Sequence, residues 1–179
     1  MTMEHKAYVF DYQAFEVQLG ASLYEALLAN NVTALADFIT RNVGVLKDPL
    51  EGQPLTASWE ELLEQRDVQE YGDIALTKFY DPGNNIGLRY NWQKAQDALS
   101  KYLKGRLSPV LGSPLGPPNN YFDPGRMGTY FQSPKQVETN LSLLESVAQQ
   151  ELNVLTTVDA VRRMLKLAVD VDRGLYVTF

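Results

Sequence analysis

The chain has 179 residues, a formal net charge of −6, 45% hydrophobic and 21% charged residues. These are the proportions of a single globular domain over 1–179 rather than of a disordered segment. It has no cysteine and one histidine, which excludes disulfides, thiol chemistry and cysteine-ligated metals, and leaves zinc without its commonest ligands.

In chain order, Ala7–Phe10 is short and apolar and predicts a strand. Asp11 opens a helical pattern in which Phe15, Leu19, Leu23 and Leu27 recur every four residues, closed by Asn30 and Asn31. A second helix is predicted from Thr33 to about Leu46, with Leu35, Phe38 and Ile39 inward. Ser58-Trp59-Glu60-Glu61 has capping-box spacing, and Asp67 caps a further helix whose buried stripe includes Tyr71, Ile74 and Phe79. Asn91 caps a helix bearing Trp92, Ala95, Leu99, Tyr102 and Leu103.

Between Gly105 and Pro134 lie 6 of the 9 prolines and 5 of the 12 glycines. Such a density predicts irregular backbone, and the apolar residues Leu107, Val110, Leu111, Leu115, Tyr121, Phe122, Met127, Tyr130 and Phe131 predict that it packs as an ordered loop. Ser133, Pro134 and Gln136 then form a capping box with proline at the first helical position. Val137, Leu141, Leu144 and Ala148 make that helix's inward stripe. The last helix runs from Thr157 to about Asp172, with Gly174 stopping it, and Leu175–Phe179 reads as a terminal strand. The predicted class is α+β and predominantly helical, about six helices with the two terminal strands pairing in a small sheet.

The N-terminus carries only four apolar residues between Lys6 and Asp11, too few for a signal-peptide core. The longest uncharged run, from Leu107 to Phe122, holds four prolines and fits no membrane helix. A soluble, cytoplasmic protein without membrane contact or cofactor is the expectation. Residues 1–88 hold 14 acids against 5 bases, while residues 89–179 hold 8 acids against 11 bases. An acidic half repels nucleic acid and attracts basic partners.

Asp-Pro-Gly occurs twice beside aromatic and asparagine pairs, in "FYDPGNN" and "NNYFDPG". The order of residues predicts type II turns, each led by an aspartate. The sharper alternative gathers Asp123, Arg126, Tyr121 and Tyr130 around the long loop as a pocket for a small polar ligand. His5 falls in the N-terminal tail and is expected to be solvated, which argues against histidine-based catalysis. Glu60, Glu61 and Glu64 crowd one predicted helix, and Glu70 and Asp73 share a face. These five acids are the candidate partner-binding set. No residue is assigned a catalytic or metal-binding role. Asp81-Pro-Gly-Asn-Asn-Ile-Gly lacks the ligand pattern of a calcium loop, and no phosphate-cradling loop occurs. Lys94, Lys101, Lys104 and Arg106 complement a helix C-terminus.

From Tyr90 onward, "NWQKAQDALSKYLKG", "GRMGTYFQSPKQVETNLSLLE" and "RRMLKLAVDVDRGLYVTF" resemble the YfbM-like proteins, a bacterial family without an assigned reaction. The likeness covers about half of the chain. It implies an α+β fold and bacterial origin and supplies no catalytic residues, and "FDPGRMG" departs from the family's usual loop. The reading that follows is a non-catalytic protein with a basic partner, such as a neutraliser of a basic toxin. The rival is a small-ligand binder or enzyme built on the loop 105–134.

Overall fold

Successive side chains of a strand point to opposite faces, and both faces of this protein's sheet are apolar. A computed structural model describes residues 3–150 and 155–179. Strand β1 (Lys6–Phe10) pairs antiparallel with β3 (Gly174–Thr178), which pairs antiparallel with β2 (Tyr130–Gln132), in the order β1-β3-β2. Tyr8 lies opposite Tyr176, and Tyr176 opposite Phe131. These three, with Phe10, enter one apolar cluster, whereas Ala7, Leu175, Val177 and Tyr130 belong to a second on the other face.

The first cluster is covered by the N-terminal helices. Asp11 caps α1 (Tyr12–Phe15), its Oδ1 accepting from the Ala14 amide at 3.2 Å. The helix continues through a π-helical turn (Glu16–Gly20) into α2 (Ala21–Ala29). On a regular α-helix, residues spaced by four drift about 40° per step. The wider π turn absorbs that drift, and Phe15, Leu19, Leu23 and Leu27 are all buried. Asn30 ends the run in the left-handed region, φ 49°. Helix α3 (Thr33–Asn42) stops short of the expected Leu46, and α4 (Val68–Leu76) is capped by Asp67, which accepts from the Glu70 amide at 3.0 Å.

The second cluster is covered by α5 (Trp92–Leu103), α6 (Pro134–Gln150) and α7 (Leu155–Val169). The predicted capping box opens α6: the Ser133 amide donates to Gln136 Oε1 at 2.7 Å and the Gln136 amide to Ser133 Oγ at 3.3 Å. Among the described residues, counting α1 to α2 as one run, six helices and a three-stranded sheet give an α+β, predominantly helical fold with the terminal strands paired.

Several expectations need correction. β2 arises inside the Pro/Gly-rich stretch, where no strand is predicted. Its outer edge is covered by Ser113, which exchanges two backbone hydrogen bonds with Phe131 at 2.9 and 2.8 Å. Of the loop's apolar residues Val110 and Phe122 are buried, but Leu107, Tyr121 and Met127 are exposed. The box at Ser58 is replaced by a single 3-10 turn (Trp59–Leu62) without a side-chain cap. Both Asp-Pro-Gly segments do turn, with i to i+3 hydrogen bonds of 3.0 Å, but neither Gly83 nor Gly125 has positive φ, so the geometry is type I.

The largest correction concerns His5, which is fully buried. The Leu88 amide donates to Nδ1 at 3.1 Å, so the ring proton sits on Nε2 and is donated to the Val110 carbonyl at 2.8 Å. The adjoining chain reaches β1 so closely that a Cβ on Gly87 would stand 2.4 Å from the His5 oxygen. Only glycine fits there.

Candidate functional site

Glu70 and Asp73 are three residues apart on α4 and share its outer face. Their surroundings differ sharply. The Glu70 carboxylate accepts from three consecutive amides, Glu64 (3.2 Å), Gln65 (2.9 and 3.0 Å) and Arg66 (2.7 Å). Arg66 is in the left-handed region, φ 55°, which helps the segment curl its donors round the anion. Glu70 thereby fixes residues 64–66 as one wall.

Gln69 fixes the opposite wall. Its Oε1 accepts from the Asp123 amide at 2.7 Å, and its Nε2 donates to the Tyr121 carbonyl at 2.9 Å. Below it the ring of Phe122, fully buried, lies against Gly72, where a Cβ would come within 2.7 Å of the ring. The glycine lets the loop descend onto the helix.

Between these walls is a cleft of about 400 Å³ lined by Asp48, Pro49, Leu50, Leu62, Leu63, Glu64, Gln65, Glu70, Asp73, Ile74, Pro124 and Gly125. This volume is within the range of small-ligand sites. Four of the lining residues are acids and none is a base. Asp48 uses Oδ1 to hold the Leu50 and Glu51 amides, at 2.7 and 3.1 Å.

Asp73 stands apart. No hydrogen bond from a described residue reaches its carboxylate, which is part-buried and opens onto the cleft. Burial, and then the charge of Asp48, push its carboxyl up to about 7, with Lys6 on β1 acting in the opposite sense. Behind it lie Tyr8, Tyr80 and Tyr176, whose rings approach one another at 4.8, 4.9 and 5.9 Å. Burial and the Asp73 charge raise all three hydroxyls above the ordinary tyrosine range. A half-ionised carboxylate facing a cleft can seat a cation or exchange a proton.

The candidate residues therefore divide. Glu64, Glu70 and Asp73 meet in the cleft, while Glu60 and Glu61 are exposed on the 3-10 turn leading into it. Tyr121, Asp123, Arg126 and Tyr130 are not brought together. Tyr121 is exposed, and Asp123 accepts from the Gly128 amide (3.0 Å) and the Thr129 hydroxyl (3.3 Å). Arg126 donates to the Gln65 side chain, and Tyr130 packs on the other face of the sheet. The loop enters the cleft through Pro124 and Gly125 instead. Asp81 accepts from Lys47 Nζ at 2.8 Å and from the Gly83 amide at 3.1 Å, and the Lys47 bond holds its carboxyl below the usual range. Neither Asp-Pro-Gly aspartate is a free carboxylate.

Sequence reasoning missed Asp48, Gln69, Lys6 and the three tyrosines. Their only signal is the tyrosine at corresponding places in two paired strands. A wider trough of about 520 Å³ between α2 and α3 is lined by alanines with surface polar groups such as Glu25 and Asp37, and holds no enclosed charge. Among the described residues no three His, Asp or Glu side chains are placed to hold a metal ion, and no helix is long and apolar enough to cross a membrane. Comparison with protein-family models, curated proteins and solved structures gives no match for this chain.

Proposed function

We propose that the chain is a non-catalytic binding protein that captures a basic protein partner on the face around the α4 cleft. One observation carries this reading: Asp48, Glu64, Glu70 and Asp73 converge on a single cleft that no basic side chain lines. Glu60 and Glu61 extend the negative face outward. Such a face accelerates encounter with a positive surface and disfavours nucleic acid. Leu50 and Leu62, 87% and 48% exposed, put apolar surface at the mouth, the mixture expected of a protein contact. The reading includes a bacterial, cytoplasmic protein with a basic toxin among its candidate partners. The YfbM-like resemblance, which begins at Tyr90, concerns the scaffold of the second half rather than the cleft-bearing helix.

The test is kinetic. With a partner captured from the native organism, changing Glu60, Glu61 and Glu64 together to lysine slows association about tenfold or more at low salt. An on-rate indifferent to both the substitutions and the salt contradicts the reading.

A small-ligand-binding protein or enzyme is the second reading, and one observation favours it: Asp73 is held near 7, where a general base works best. A small molecule that raises the thermal midpoint of the wild type but not of Asp73→Asn supports it.

A further inference from the structure

We propose that the cleft is the seat for one lysine or arginine side chain of the partner, with the charged head on Asp73 and the aliphatic stem along Leu62, Leu63, Ile74 and Pro124. This inference rests on the basic-partner reading above and names the contact that anchors it.

The acids of the cleft are not equivalent. Glu70 is engaged by three amides and Asp48 by two. Glu64 lies exposed at the rim. Asp73 alone lines the cleft part-buried and without a protein donor. A part-buried carboxylate lacking a protein donor is costly to the fold. It is satisfied by a ligand that brings a positive charge and several N–H groups. Lys6 acts on Asp73 electrostatically but forms no ion pair with it among the described contacts.

The walls match the rest of such a side chain. Lysine and arginine lay their methylene stems on apolar surface while the head seeks a polar partner. The cleft offers leucine, isoleucine and proline above a carboxylate. The exposed Leu50 and Leu62 form a collar that a free amine would leave in water and a protein surface would cover. Charge complementarity thus selects a basic protein as the occupant.

Capture is coupled to a proton. Asp73 is faced by Asp48 from the loop after α3, Glu64 across the cleft, Glu70 one turn back on α4, Lys6 and Tyr8 from β1, Tyr80 after α4 and Tyr176 from β3. Negative neighbours outnumber the one cation, so below about pH 7 the carboxyl keeps a proton that an incoming cation must displace.

The experiment titrates the full ¹⁵N-labelled chain with n-butylammonium and n-butylguanidinium, with n-butanol as the uncharged control, following amide shifts at pH 8 and pH 6. The proposal expects shifts centred on Leu63, Gln65, Ile74 and Gly125, and affinity about tenfold weaker at pH 6. It expects no such binding in Asp73→Asn. Equal shifts with butanol, shifts centred elsewhere, or pH-independent affinity in the wild type would overturn it. The pH comparison needs no variant, so a misfolded substitution cannot mask the result. If the probes seat but reversal of Glu60, Glu61 and Glu64 leaves protein association unchanged, the seat stands and the basic-partner reading fails. If no probe binds while that reversal slows association, the seat fails and the wider reading survives.

Discussion

Two titratable groups, one buried and one part-buried, lie on opposite faces of the same sheet, and they have opposite meanings. His5, on the face of the second cluster, has a donor for one ring nitrogen and an acceptor for the other. Its ring and that of Phe179 meet edge to face, with centroids 5.7 Å apart. Every polar need is met inside the protein, so the histidine works as a clasp between β1, residue 88 and residue 110. Asp73, behind the tyrosines of the other face, has no such closure and opens into a cleft. His5 is fully buried and Asp73 part-buried. Hydrogen-bond satisfaction separates a structural group from one available to a ligand.

Substitution should separate them further, the largest effect falling on the clasp. His5→Ala leaves the Leu88 amide and the Val110 carbonyl unpaired beside a cavity, and is expected to lower stability by about 4 kcal/mol in urea unfolding at pH 7.5. Burial holds the His5 pKa below 6.5, so the unfolded chain takes up the proton first. The stability that neutral His5 contributes is complete above pH 6.5 and is lost as pH falls below it.

Asp73→Asn should act in the other direction. The folded carboxyl is raised from 3.8 to about 7, so its favourable contribution is complete below pH 3.8 and disappears as pH rises through 7. The asparagine variant should be more stable than wild type by about 3 kcal/mol at pH 8, and the two stability curves should meet near pH 4. A loss of stability at pH 8 would show that Asp73 is structural, erasing the contrast with His5.

Glu70→Gln should be smaller, a loss of about 2 kcal/mol by urea unfolding, because a charged acceptor of three amides becomes a neutral one. Opposite signs at positions 70 and 73, one helical turn apart, would sharpen the comparison within a single surface.

Much of the fold was legible because its signals are local. The capping box of α6, the Asp67 cap of α4 and the four-residue apolar spacing of α1 to α2 each lie within a few residues. Local signals failed where partners are distant. His5 looks like a tail residue because its partners are 83 and 105 positions away. β2 has three residues, and its hydrogen bonds come from Ser113 on one side and from β3 on the other.

The site was legible only in part. The sequence shows that Glu70 and Asp73 share a face. It does not show that the turn at Arg66 fills one carboxylate while tyrosines from β1 and β3 wall off the other. The loop constellation of Asp123, Arg126 and Tyr130 failed for a strand-level reason, since Tyr130 and its neighbour Phe131 necessarily point to opposite faces.

The account turns on Asp73 being an acid that the fold leaves unanswered. Following its side-chain carboxyl carbon by ¹³C NMR across a pH titration of the wild-type chain addresses that directly. The structure predicts a midpoint of about 7, whereas a midpoint at or below 3.8 would mean that the carboxylate is already stabilised within the protein and is not held open for a cation.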